Sequence, residues 1–187
     1  MIILIPTLAF SQSGGKSKFL MFEINSQFGW GHSQIAGDAS VPTIGSFNLG
    51  IGLGLNIKKI TLGLSSDYRI LTQYSTVDPT VGNRRGDFVT PISLLFRINF
   101  EKIKFCFLFI NNGSYTLTNK TADAKKLVYI NPSGFRFELI FKKIPKVTPS
   151  LFFESVDFSA KKLDGINSDL NTKLNYSNYG VGFKYDF

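Results

Sequence analysis

Residues 46–70 read SFNLGIGLGLNIKKITLGLSSDYRI, and two runs of strict alternation meet at the lysine pair in the middle. Phe47, Leu49, Ile51, Leu53, Leu55 and Ile57 share one parity, while Ser46, Asn48, Gly50, Gly52, Gly54 and Asn56 share the other. After Lys58-Lys59 the pattern resumes, with Ile60, Leu62, Leu64, Tyr68 and Ile70 opposed to Thr61, Gly63, Ser65, Asp67 and Arg69. A period of two marks a strand, because successive side chains leave a pleated chain on opposite sides. Two such runs joined by two residues predict a β-hairpin. The Gly-x-Gly-x-Gly of residues 50–54 sits inside a strand and opens no helix, so it serves packing and not phosphate binding.

The same period extends in both directions. Upstream, Leu20, Phe22, Ile24, Phe28 and Trp30 oppose Glu23, Asn25 and Gln27. Downstream, Ile92, Leu94, Phe96, Ile98 and Phe100 oppose Ser93, Arg97 and Asn99, and a turn at Glu101-Lys102 follows. Ile103, Phe105, Phe107 and Phe109 then share a face, although Cys106, Leu108 and Ile110 make the other face apolar too. Phe135, Phe137, Leu139 and Phe141 oppose Gly134, Arg136, Glu138 and Ile140. Residues 147–158 are the least regular, and the adjacent Phe152 and Phe153 predict a bulge that shifts the parity. Tyr179, Val181, Phe183, Tyr185 and Phe187 close the chain, opposed to Asn178, Gly180, Gly182, Lys184 and Asp186. That makes eight strands of about ten to fourteen residues, a length that crosses a bilayer with tilt. Connections near residues 58, 102 and 144 are short, whereas 31–43, 73–87, 116–127 and 159–171 are long and polar. Short connections at one end and long ones at the other describe an all-β, eight-stranded antiparallel up-and-down barrel, transmembrane if its apolar face is outermost.

Composition narrows the class. The 187 residues suit one domain, expected over 12–187, and at 43% hydrophobic the chain is too apolar for disorder. Only 18% is charged, below the roughly 25% of an average soluble domain, yet there are 19 Phe. One Cys and one His argue against a disulfide framework and a multi-Cys or His-based metal centre, and no cofactor is expected. No run of eighteen apolar residues is present to make a membrane helix. Met1–Phe10 is a short apolar stretch followed by small and polar residues, which reads as the truncated signal peptide expected over 1–11.

The polar parity decides which face points outward. A soluble barrel needs an exterior rich in Lys and Glu, but here that parity is mainly Gly, Ser, Asn and Thr with one or two charges per strand. Small residues and sparse charges fit a narrow lumen, because eight strands enclose space just wide enough for side chains to fill. Gly50, Gly52 and Gly54 are expected to leave room there for long residues from opposite strands. The expected lumen charges are Glu23, Asp67, Glu138, Glu154 and Asp186 against Arg69, Arg97, Arg136 and Lys184. Near-cancellation is what burial demands, since an unpaired buried ion costs several kcal/mol. Similar heights on neighbouring strands predict the pairs Glu23 with Lys184 and Arg136 with Glu154, filling the core with no gated ion path.

The terminal segment Tyr179-Gly180-Val181-Gly182-Phe183-Lys184-Tyr185-Asp186-Phe187 resembles the last strand of small bacterial outer-membrane β-barrel proteins of the OmpA, OmpX and OmpW type. The likeness spans residues 19–187 and is one of architecture and strand pattern. It implies a location in the bacterial outer membrane with both termini periplasmic, a monomer, and Tyr179, Val181, Phe183, Tyr185 and Phe187 as the signal read by the barrel-assembly machinery. It also implies a structural or surface-interaction role in the envelope. The alternative is a narrow channel or transporter for small or hydrophobic solutes.

A net charge of +8 would suggest nucleic acid in a soluble protein, but its placement argues for membrane surfaces and no nucleic acid. Lys58, Lys59, Lys102, Lys104, Lys142, Lys143 and Lys146 cluster at the short turns, a position that suits both anionic headgroups and simple solvation. Arg84-Arg85, Lys125-Lys126 and Lys161-Lys162 are assigned to the long loops, where they suit solvent or lipopolysaccharide phosphates. Trp30, Tyr68, Tyr115 and Tyr129 are expected in an upper aromatic girdle, and Phe100, Phe141 and Phe187 in a lower one. His32 beside Ser33 is the one pair that a lipid hydrolase could use at the barrel mouth. Adjacent residues of an extended chain point to opposite sides, so the expectation is no catalysis there. Cys106, in mid-strand, is expected to be inert.

Overall fold

The computed structural model describes residues 19–35, 43–74, 84–118, 127–142, 147–163, 166–167 and 174–187. The signal-peptide assignment to 1–11 and the lysines 125, 126, 143 and 146 lie outside these residues. Strands β1 (Leu20–Ile35), β2 (Thr43–Ile57), β3 (Ile60–Tyr74) and β4 (Arg84–Asn99) are followed by β5 (Ile103–Ile110) and β6 (Ser114–Thr118). Then come β7 (Leu127–Phe141), β8 (Val147–Leu163), the two-residue β9 (Ile166–Asn167) and β10 (Leu174–Asp186). β5 and β6 lie end to end between β4 and β7 and form one stave. β10 pairs with β1 from Ile35↔Leu174 to Glu23↔Asp186, which closes the sheet on itself. The result is a closed antiparallel barrel of eight staves, with β9 as a short hairpin extension of β8.

Undivided staves run from 13 to 17 residues, longer than expected, because pairing continues at the loop end. Arg85 pairs with Thr72, and Lys161 with Tyr129. The basic pairs Arg84-Arg85 and Lys161-Lys162 therefore belong to β4 and β8, not to loops.

Parity sorts the side chains. Leu49, Ile51, Leu53, Leu55, Leu62 and Leu64 stand on the outside with about half their surface exposed, beside Phe28, Leu94, Phe109, Leu151 and Phe183. The three phenylalanines of β5 also face out, with Cys106, Leu108 and Ile110 inside. An outer wall this apolar is stable against hydrocarbon and not against water.

Three neighbouring staves break step at one level. In β4, Pro91 and Ile92 together face the single Ser66 of β3, a bulge where proline has no N–H to offer the ladder. Between β5 and β6 the ladder is interrupted at residues 111–113, with Gly113 at φ 139, and the Asn112 side-chain oxygen accepts the Ile92 N–H at 3.3 Å. In β7, Asn131 takes φ 55. Above these breaks the parity is reversed. Tyr115 and Tyr129 consequently face inward, 1% and 2% exposed, and do not join the upper girdle. That girdle is made by Trp30, Tyr68 and Tyr179, the first and last in edge-to-face contact at 5.4 Å.

The bulge expected at Phe152-Phe153 is absent. β8 stays in step with both β7 and β10 through these residues, Phe153 facing out and Phe152 facing in. Gly29 makes this possible: a Cβ there would lie 2.7 Å from the Phe152 ring. Phenylalanine is thus not confined to the outer wall.

Candidate functional site

Among the described residues, charged side chains of both signs converge on the inner face of the barrel. Eight are buried there, Glu23, Asp67, Glu138 and Glu154 against Arg69, Arg97, Arg136 and Lys184, and their formal charges cancel. Asp186 closes β10, but its side chain lies outside the described residues. Six staves deliver these groups, because every second residue of a strand points inward.

Together they form a chain of alternating sign. It begins toward the short turns, where Arg97 Nη2 meets Glu23 Oε2 at 2.7 Å. Glu23 Oε1 lies 2.9 Å from Lys184 Nζ, which joins the two strands that close the barrel. Lys184 Nζ is also 2.7 Å from Glu138 Oε2, and Glu138 Oε1 is 3.6 Å from Arg136 Nη1. Arg136 forks onto Glu154, with Nε and Nη2 both 2.7 Å from Oε2, while its Nη1 reaches Asp67 Oδ1 at 3.3 Å. Arg69 ends the chain, 2.8 Å from Glu154 and 3.5 Å from Asp67. Amides add further bonds. Gln27 Nε2 donates to Glu138 at 2.7 Å, and Asn48 Nδ2 donates to Gln27 at 2.9 Å and to Asp67 at 3.2 Å.

Space for this packing comes from β2. A Cβ on Gly50 would lie 2.2 Å from Asp67 Oδ1, and one on Gly52 would lie 2.9 Å from Glu23 Cγ. The glycines therefore make room for residues of the flanking β1 and β3, not for side chains arriving from opposite strands.

One apolar layer caps the charge chain toward the loops, and a second apolar cluster flanks it. Toward the loops, Ile44, Leu71, Phe88, Ile110, Tyr115, Leu117, Tyr129, Val156, Phe158, Leu174 and Tyr176 form one buried cluster. Its rings interlock, Phe88 meeting Phe158 edge-on at 5.2 Å and Tyr115 stacking on Tyr129 at 6.0 Å. Two links bind this cap to the charges: Tyr176 donates its hydroxyl to Glu154, and the Arg69 guanidinium lies 4.7 Å from the Phe88 ring centre. Beside the charges, Met21, Leu95, Cys106, Leu108 and Ile140 form a second cluster, with Cys106 paired to Arg97 and Glu138 and with Arg97 Nη1 2.8 Å from the Met21 sulfur.

Chemically, such an arrangement holds charge in place. Each of the four carboxylates is bonded to at least one cation, so none stands ready as a general acid or base. His32 is exposed on the outer face while Ser33 is buried on the inner one, so the two do not form a nucleophile and base pair. Among the described residues no three His, Cys, Asp or Glu side chains cluster as metal ligands. Cys106 is fully buried, 4.0 Å from Arg97.

Parity reasoning assigned the charges to one face but missed the links across the lumen, Arg97 to Glu23, Lys184 to Glu138 and Arg69 to Glu154. It also missed the aromatic cap. The available signals were Leu71, Val156, Phe158 and Tyr176, which share the inward parity of Arg69, Glu154 and Lys184 on their own strands.

No family model matches the chain, and no curated protein matches it. Among solved structures, Neisserial surface protein A superposes over 89% of this chain and 97% of its own, with a TM-score of 0.60 at 12% identity. The fold is that of a small outer-membrane β-barrel. Ail, the attachment invasion locus protein of Yersinia pestis, aligns less closely, with a TM-score of 0.49 at 16% identity over 88% of this chain and 98% of its own. OprG from Pseudomonas aeruginosa gives 0.48 at 14% identity, over 89% of this chain and 95% of its own.

Proposed function

We propose that the chain is a monomeric barrel of the bacterial outer membrane, with a filled lumen, acting through its wall and loop-end surface in envelope structure or surface interaction. One observation carries this reading: a neutral, continuous chain of eight buried charges, each bonded, capped by an apolar layer toward the loops and flanked by a second apolar cluster. Ions crossing such a core would have to displace paired charges whose separation in a low dielectric costs several kcal/mol. Both termini are assigned to the periplasm, at the end of the short turns. Tyr179, Val181, Phe183 and Tyr185, outward on β10, and the exposed Phe187 directly after it are assigned as the segment read by the barrel-assembly machinery. Lipopolysaccharide is the expected neighbour at the loop end, and no enzymatic role is assigned.

The test combines cell fractionation, a heat-modifiability gel and planar-bilayer recording on the full chain. An outer-membrane fraction, a mobility shift on heating and negligible conductance are expected. A soluble protein, or one without a shift, overturns the membrane reading. Solute-dependent flux that changes in Arg97→Gln or Arg69→Gln replaces the closed barrel with the transport alternative.

A further inference from the structure

The two ends of the barrel differ in charge, and neither the fold nor the closed lumen accounts for the difference. At the loop end, described charges are mixed: Arg85 lies 3.9 Å from Asp87, Tyr68 donates to Asp87 at 2.8 Å, Asn175 donates to Asp157 at 2.5 Å, and Lys161 and Lys162 are half-buried. At the turn end, Lys58, Lys59, Lys102 and Lys142 are all exposed, and Glu101 is the one acid in the same turns. Lys104, half-buried on the inward parity of β5, is not part of this surface.

Backbone bonds set the three short connections side by side along one arc, or corner, of the rim. The Asn99 N–H donates to the Lys59 carbonyl at 2.6 Å, and the Lys142 N–H donates to the Lys102 carbonyl at 2.9 Å. The Lys142 ammonium itself reaches the Phe100 carbonyl at 2.5 Å. The corner thus surrounds the turn between β4 and β5. Directly beside it the outer wall presents Ile57, Ile60 and Phe100, each at least two-fifths exposed, which places the ammonium groups at the rim of the lipid-facing belt.

Lys58 adds a second, independent observation. Its φ of 55 lies in the left-handed region, where Gly or Asn is favoured and a long side chain is disfavoured. Lysine there trades backbone comfort for an ammonium group at the rim.

We propose that this corner binds the phosphodiester headgroups of anionic phospholipids in the leaflet that faces the short turns. The apolar rim holds the acyl chains and the four ammonium groups meet the phosphates, while the lysine stems lie along the wall. The inference rests on the membrane-barrel reading and adds a lipid preference to it.

The test uses the full chain refolded into phosphatidylcholine vesicles containing spin-labelled phosphatidylglycerol or spin-labelled phosphatidylcholine. The motionally restricted signal then reports which lipid sits at the protein surface. Wild type is expected to favour phosphatidylglycerol about five-fold at low salt, and roughly 1 M salt is expected to remove the preference. The variant Lys58→Asn, Lys59→Gln, Lys102→Gln, Lys142→Gln is expected to lose it at low salt, with its heat-modifiable band intact. The loop-end control Arg85→Gln is expected to keep it. Equal association of the two lipids with wild type, or a preference unchanged in the quadruple variant, overturns the proposal and leaves the barrel reading standing. Absence of the heat-modifiable band in wild type overturns both.

Discussion

Each stave of the barrel has an inner and an outer face built from the same backbone, and the two obey different rules. Outside, Leu49, Ile51, Leu53 and Leu55 of β2 stand side by side, and lipid asks only that they be apolar. Inside, the same strand offers Asn48, Gly50 and Gly52, each matched to one neighbour: Asn48 to Gln27 and Asp67, Gly50 to the space Asp67 occupies, Gly52 to Glu23. The outer face is specified by composition and the inner one by partners. Substitutions should therefore be costly inside even when small, and costly outside only when they introduce charge.

The sharpest contrast is expected at Glu154, which anchors Arg69, Arg136 and Tyr176 at once. Glu154→Ala leaves two buried cations short of their anion, and urea unfolding in lipid vesicles should show a loss of about 3–5 kcal/mol. A loss below about 1 kcal/mol would mean that water reaches this position, and the contrast between faces would collapse. Next comes Ile51→Arg on the outer wall, expected to cost about 2–4 kcal/mol if the residue sits at mid-bilayer. Unchanged stability there would mean that the faces are reversed.

Gly29→Ala is smaller still, about 1–3 kcal/mol, because the added methyl meets the Phe152 ring and the Tyr179 carbonyl. Pairing it with Phe152→Leu should recover part of the loss; no recovery would show that the backbone contact dominates. At the bottom of the scale, Leu62→Ile on the outer wall should shift the unfolding midpoint by less than about 0.5 kcal/mol. A larger effect would give the lipid face a packing specificity it lacks here.

The same two rules explain what could be read from the amino acids alone. Strand count, closure and the outward placement of Ile51 or Phe183 follow from alternation, which is local and survives wherever the ladder is regular. Tyr115 and Tyr129 were misplaced because their parity is set by the breaks at Pro91, Gly113 and Asn131, and no periodicity crosses a break. The opposite error at Phe152-Phe153 has a related cause: the adjacent rings suggested a bulge, but the space for Phe152 is supplied by Gly29, far away in the chain. Among the charges, inward parity and the pairs between neighbouring strands were legible. Contacts across the lumen, such as Arg97 with Glu23, depend on side-chain reach and on the glycines of β2, which alternation does not encode. The aromatic cap was hidden for a simpler reason, since most of its members lie in stretches assigned to loops or at strand ends.

Whether the lumen is filled can be tested with no mutation at all. Cys106 is the sole cysteine of the chain and lies fully buried inside the barrel, in the apolar cluster that flanks Arg97 and Glu138. A charged, water-soluble methanethiosulfonate reagent added to the folded barrel in vesicles should leave Cys106 unmodified by mass spectrometry over hours, and should modify it fully once the barrel is unfolded. Rapid, complete modification of the folded form, with its heat-modifiable band retained, would mean that water fills the lumen and would contradict a closed, side-chain-packed barrel.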